Sequence, residues 1–447
     1  MHPHNRSSTS ADRYKSLIDA RVPSKDNSGR KGNDNSHFYS SRVKYCLEMA
    51  ATLGSRALIY SVDNKNKIRV GDDVLAVDRR IQIQRVFPID DRPQYLDHDF
   101  PVPGYHITPC GYLQLLPISH PETALDQLGR QHYRIPEKST STIVLRGPHS
   151  TINVSSHLHD MADHLDVGGQ VTRGKHALFL VADGGPDFNV NHATNWFFYG
   201  RFFREMNLDA LVVTSFCPGD SAMNPIEHLW APCTRRLTGV ALPSSLPGEM
   251  LPPSQQRLEP EDRLLKEHRV FNLAMDRIKN SYWKDLTFAG NPVTVVVEES
   301  GAGHGRYGAD YQEVKQALGG SARQLRSSGL NDEYQFVVGH MDKRIGMAIF
   351  TKCKKPSCGH CRDHPPSLSA EEMDHLRKFP SPAPSLTHEG HFKTFIESHE
   401  GTRSLPCQHM PAFTAKQLGR CSEGSCRYVF GSKKDRDDHR RKYVHHR

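Results

Sequence analysis

Ser221-Ala-Met-Asn-Pro-Ile-Glu-His-Leu-Trp230 reads as the opening of a helix that carries a carboxylate in its first turn. Asn224 suits the N-cap, because its side chain can accept a backbone N–H left unpaired at the helix start. Pro225 suits the first helical position, where the missing N–H is no loss. Glu227 then stands inside the positive end of the helix dipole. Taken alone, it is a capping-box residue reaching back to Asn224. It has a second role if other acids meet it.

Two hydrophobic runs end in such acids. Ala57-Leu-Ile-Tyr-Ser-Val-Asp63 is one, and His176-Ala-Leu-Phe-Leu-Val-Ala-Asp183 is the other. Runs of this length and apolar content read as buried strands. Two strand-end aspartates and a helix-borne glutamate form the ligand set of a divalent-metal phosphoryl-transfer site. Mg²⁺ prefers carboxylate and water oxygens over imidazole or thiolate. Asp72, Asp73 and Asp187 are alternative acids near the same motifs.

These motifs resemble those of mariner-type DDE transposases. Asn224–Trp230 is similar to their third acidic motif, and Phe216-Cys-Pro-Gly-Asp-Ser-Ala222 to the loop before it. Asp183-Gly-Gly-Pro-Asp-Phe-Asn189 resembles the second motif and Val62-Asp-Asn-Lys65 the first. The resemblance covers residues 55–245. It implies an α/β fold, an RNase H-like mixed sheet flanked by helices. It also implies that Asp63, Asp183 and Glu227 are catalytic and hold Mg²⁺ or Mn²⁺, with Asp63 shared between two ions. The implied substrate is DNA and the implied compartment the nucleus. Homo-oligomerisation is an open alternative, and no small-molecule cofactor or membrane is expected. The opposing reading is a domesticated, catalytically inactive relative that binds nucleic acid or protein.

The periodicity agrees with that fold. His37 to Gly54 reads as a helix with Val43, Cys46, Leu47 and Ala50 on one face. A strand ends at Asp63, a tight turn follows, and residues 67–71 return as a second strand. Residues 81–140, rich in Pro, His and Asp, read as an irregular insertion. A third strand is expected at 142–146, a helix at 155–165, a strand to Asp183, a helix at 192–206 and a strand at 208–214. The order is β-β-β-α-β-α-β-α. His157, His159, Asp160, Asp163 and His164 read as a solvated polar helix face, with metal binding the rarer alternative. Trp196, Phe197, Phe198, Phe202 and Phe203 read as core. A boundary is expected near 245, then an amphipathic helix at 261–286 and a strand at 293–297. Gly301–Gly305 lacks the Lys-Ser/Thr ending of a phosphate loop.

The whole chain of 447 residues carries 58 basic and 50 acidic side chains, and 36% of its residues are hydrophobic. Residues 402–447 hold eleven Lys/Arg against four Asp/Glu, so most of the excess charge sits in the tail and points to a polyanion. No apolar run approaches the roughly 20 residues that span a bilayer. The first residues lack a signal-peptide core, so reduced thiols are expected.

Six of the ten cysteines follow Lys352, among many histidines. Cys421-x4-Cys426-x12-His439-x5-His445 has the spacing of a two-Cys, two-His zinc finger, with His446 as an alternative to His445. Phe430 fits the mini-core, and Arg436 stands where a Leu is usual. The groove-reading positions would be Ser432, Asp435 and Asp438, of which two are acids. Cys353-x4-Cys358-x2-Cys361-x2-His364 is a second candidate zinc cluster, with His360, Cys407 and His409 as further ligands to consider. The expected organisation is a flexible 1–36, an RNase H-like 37–245, an extension 246–340, a Cys/His-rich 341–410 and a finger 411–447.

Overall fold

A computed structural model describes residues 36–71, 76–77, 106–116, 139–299, 305–344 and 346–382, with isolated pieces at 20–21, 87–88, 123–125, 131–133, 436–437 and 440. The finger cysteines and histidines, Cys421, Cys426, His439 and His445, lie outside the described residues, as do Asp72 and Asp73.

The first helix, α1, runs Ser36–Leu53, and the first strand of the main sheet, β1, runs Ala57–Asn64. Then come β2 (His106–Leu115) and β3 (Thr140–Arg146). Helix α2 (Val154–His159) continues as a wider π turn over Asp160–His164. Strand β4 (Ala177–Ala182), α3 (Ala193–Glu205), β5 (Ala210–Ser215) and α4 (Glu227–Arg236) follow. The remainder comprises α5 (Pro260–Arg277), β6 (Asn291–Glu298), α6 (Asn331–His340), β7 (Met341–Arg344), β8 (Met347–Thr351), α7 (Gly359–Asp363) and α8 (Ala370–Arg377), with shorter helices between. No helix among these is long and apolar enough to cross a membrane.

Among the described residues, ten strands form one mixed sheet. Its central order is β6-β3-β2-β1-β4-β5-β8-β7, with Thr287–Phe288 beside β6 and Ile68–Arg69 paired to β2. Strands β1, β2 and β3 are antiparallel neighbours, and β4 and β5 run parallel to β1. This is the α/β mixed sheet expected from the sequence, with three antiparallel and two parallel strands at its centre.

Alternation along each strand builds two cores. In β1, Ala57 and Ile59 face one side with α1, α4 and α5, while Leu58, Tyr60 and Val62 face the other with α2, α3 and α6. A period of two puts successive side chains on opposite faces, so a strand buried on both reads as a continuous apolar run. Trp196, Phe197, Phe198, Phe202 and Phe203 are all buried in the second core, as expected. Each contributes on the order of 1.5–3 kcal/mol of burial.

Three expectations need correction. First, residues 81–140 are not irregular throughout. Residues 106–115 form the ten-residue second strand of the sheet, whereas the expected second strand at 67–71 is only the two-residue Ile68–Arg69. Pro109 and Gly111 disguise β2, since both residues ordinarily argue against a central strand. The ladder of β2 with β1 closes at Cys110, so Pro109 lies just beyond it, and its carbonyl accepts the Lys65 N–H at 2.9 Å. Second, β6 pairs in parallel with β3, and β8 pairs antiparallel with β5. The sheet therefore continues across the boundaries drawn at 245 and 340. Third, the polar residues at 157–164 are only in part a solvated face: Asp163 is exposed and His159 and His164 are partly so, but two others are not. His157 and Asp160 are fully buried. Arg146 grips Asp160 through both nitrogens (2.7 and 2.5 Å), and the Tyr112 hydroxyl donates to Asp160 at 2.5 Å and lies 2.7 Å from His157 Nδ1. The charges are tolerated there because they are paired and hydrogen-bonded.

Candidate active site and metal centre

Strand register brings the two aspartates side by side. Parallel β1 and β4 pair residue for residue from Ala57–Ala177 to Val62–Ala182. The next step along both strands is Asp63 and Asp183. Neighbouring strands lie about 4.8 Å apart, so the two acids leave the same edge of the sheet together. Gly184 follows with φ +86°, and the Gly185 N–H donates to Asp183 Oδ1 at 2.8 Å. Glycine at 184 allows a turn that a side chain would strain.

Glu227 arrives from the loop after β5. The segment is strapped to β1 rather than capped as the sequence suggested. Ser61 Oγ donates to Asn224 Oδ1 (2.5 Å), Asn224 Nδ2 donates to the Val62 carbonyl (3.0 Å), and the Ile226 N–H donates to Ser61 Oγ (2.9 Å). Asn224 is thus not the N-cap. Helix α4 starts at Glu227 with no side-chain cap, and the Asn224 N–H donates to the Ser221 carbonyl. The capping-box reading of Glu227 gives way because tertiary hydrogen bonds to the strand use the Asn224 side chain instead.

Trp230, one turn along α4, reaches back to the same place. Its Nε1–H donates to Asp63 Oδ2 at 3.3 Å, and the Asn64 N–H donates to Asp63 Oδ1 at 2.7 Å. The indole lies on Gly111, the β2 partner of Asp63. A Cβ at Gly111 would come within 2.3 Å of Trp230 Cη2.

Burial pushes the Asp63 carboxyl well above the usual carboxylate range, and the charges of Asp183 and Glu227 push it further. The Trp230 and Asn64 bonds act in the opposite direction. Asp187 is pushed up to about 6 by burial and then by Asp183, against a hydrogen bond from Asn64 Nδ2 to Asp187 Oδ2 at 3.0 Å. Lys65 is a contributor that the sequence reading passed over. It is buried, burial lowers its pKa, and Cys233, Glu227 and Asp63 pull it back up. The signal was present as a lysine two residues after a strand-end acid. Three sequence-distant acids therefore share one electrostatic neighbourhood.

The thiol cluster differs from its expected ligand set. Among the described residues, His340, Cys353, Cys358 and Cys361 bring four ligand atoms within 4.8 Å of one another, and His159, His164 and Glu298 bring three. The acid trio is spread more widely. His364 is outside the thiol cluster. It lines a cleft of about 520 Å³ with Arg201, Arg204 and His360. His340 takes its place from the end of α6. It was missed because its neighbours in the chain carry no ligand pattern. The donor set Cys3His, buried at His340 and Cys361, could hold zinc.

The chain matches no protein-family model, no curated protein and no solved structure.

Proposed function

We propose that this chain is a transposase-like enzyme of the DDE type that cleaves or joins DNA strands in the nucleus, with Asp63, Asp183 and Glu227 as its catalytic acids. The supporting observation is the in-register exit of Asp63 and Asp183 from neighbouring parallel strands, with the helix of Glu227 strapped to the same strand by Ser61 and Asn224. The donor set is carboxylate only, which suits Mg²⁺ or Mn²⁺. The crowding that raises the proton affinity of Asp63 is what a bound cation relieves.

Bound Mg²⁺ supplies charge neutralisation at the entering and leaving oxygens of an in-line displacement. Asp63 feels both other acids, and Asp63, Asp183 and Glu227 are the residues that would hold the cation. Trp230 Nε1–H and the Asn64 N–H fix the two oxygens of Asp63, so its orientation is set before substrate arrives. The basic tail is the proposed source of further phosphate contacts.

A strand-cleavage assay with added Mg²⁺ tests the reading on the full chain. Wild type should cleave, and Glu227→Ala should lose roughly 10³-fold or more, the scale on which single catalytic groups act. Equal cleavage by both chains, or none by either, removes the catalytic reading. DNA retention without cleavage would leave a binding module.

A further inference from the structure

We infer that His340, Cys353, Cys358 and Cys361 form a closed structural zinc site, independent of the acid site, that pins the β7–β8 hairpin between α6 and α7. The distances have the scale of a coordination tetrahedron. With Zn–S about 2.3 Å and Zn–N about 2.05 Å, the S···N edge is roughly 3.6 Å. His340 Nε2 lies 3.2 Å from Cys361 Sγ and 3.5 Å from Cys358 Sγ.

The imidazole is already oriented as a ligand. Its Nδ1 lies 2.7 Å from the Phe336 carbonyl, a bond in which Nδ1 must be the donor. That bond leaves the Nε2 lone pair facing the thiols. A carbonyl behind a ligating histidine is the usual outer-shell arrangement, because it fixes both tautomer and ring plane. The Phe336 ring also lies against it, tilted, with centroids 4.1 Å apart, which limits its rotation. The Cys353 N–H donates to Cys361 Sγ at 3.3 Å, as backbone amides commonly do to thiolates.

Four protein ligands leave no open position, so the ion's role is structural rather than catalytic. The topology says what it holds. His340 ends α6 and leads directly into β7, whereas Cys353 leaves β8 and Cys358 and Cys361 flank and enter α7. One ion thereby closes a loop around the hairpin whose β8 pairs with β5. Strand β5 in turn leads into the segment that carries Glu227.

The test uses the full chain with Cys421→Ser and Cys426→Ser, so that tail thiols do not contribute. Elemental analysis should give one zinc per chain in this background. His364→Ala should keep that zinc, and His340→Ala or Cys361→Ser should lose it. X-ray absorption at the zinc edge of the background protein should read three sulfurs and one nitrogen, which serves even where His340→Ala fails to fold. Absence of zinc, a two-sulfur or four-sulfur shell, or zinc lost in His364→Ala but kept in His340→Ala would overturn the site.

Discussion

Asp187 lies next to the acid pair in the chain's second motif, with its carboxyl pushed up to about 6 by burial and by Asp183. Its unfolded value is about 3.9. Between those values the folded chain binds more proton than the unfolded one, so stability falls as pH rises through the window. Asp187→Asn removes this term and keeps an oxygen for Asn64. Relative to the variant, wild type should lose roughly 1–2 kcal/mol between about pH 4 and pH 6, after discounting for partial exposure, and no more above it. Parallel denaturation curves at several pH values check this; a constant gap would mean that Asp187 is ionised throughout. The acids themselves were legible in the sequence, because strand ends are marked by the apolar run that precedes them. The partners that tune them were not. Trp230 bonds Asp63 across 167 positions, a pairing that local spacing does not encode.

At the level of elements, α4 reaches the sheet only because β2 is bare at Gly111. An alanine there would bring its Cβ within 2.3 Å of Trp230 Cη2 and 2.8 Å of Ile226 Cδ1. Gly111→Ala should therefore cost about 1–3 kcal/mol of overpacking. Because the displaced helix carries Glu227, any Mg²⁺-dependent cleavage should fall further than stability does. Gly319→Ala has open space around it and serves as the control. Chemical denaturation that finds Gly111→Ala no worse than the control would show that α4 does not rest on β2 as described. Strands β1, β3, β4 and β5 and helices α1 and α3 follow from periodicity within a residue or two of their ends. Strand β2 does not, since its Pro and Gly are accommodated by features far away in the chain: the end of the β1 ladder and the indole of Trp230.

Across the whole molecule, Asp209 at the head of β5 knots together segments that are far apart in sequence. Its N–H donates to the His176 carbonyl before β4, and its carbonyl accepts the Lys352 N–H after β8. Its carboxylate takes the Ser367 and Leu368 N–H groups at 2.7 and 2.8 Å and pairs with the Lys352 ammonium at 2.9 Å, with both side chains buried. Removing one member of a buried pair strands the other. Asp209→Ala should cost about 3–5 kcal/mol. It should also free residues 352–379 for limited proteolysis before the centre of the sheet unfolds. Cleavage no earlier than in wild type would argue that α8 is held by its other contacts, such as core packing and the Arg56–Glu372 pair.

The sequence by itself determined the class of the fold, the run of strands and helices around β1, β4 and β5, and the three acids at their ends. It could do so because these features are local: a period of two or 3.6, and a charge where an apolar run stops. The tertiary structure decided which distant groups meet. It put Asp63 beside Asp183 through the β1–β4 register, and it gave Asn224 to Ser61 and Val62 rather than to Glu227. It exchanged His364 for His340 and carried the sheet on through β6, β7 and β8. Each of those choices is made by burial and strand pairing between residues tens to hundreds of positions apart, where only the closed chain brings the partners within reach.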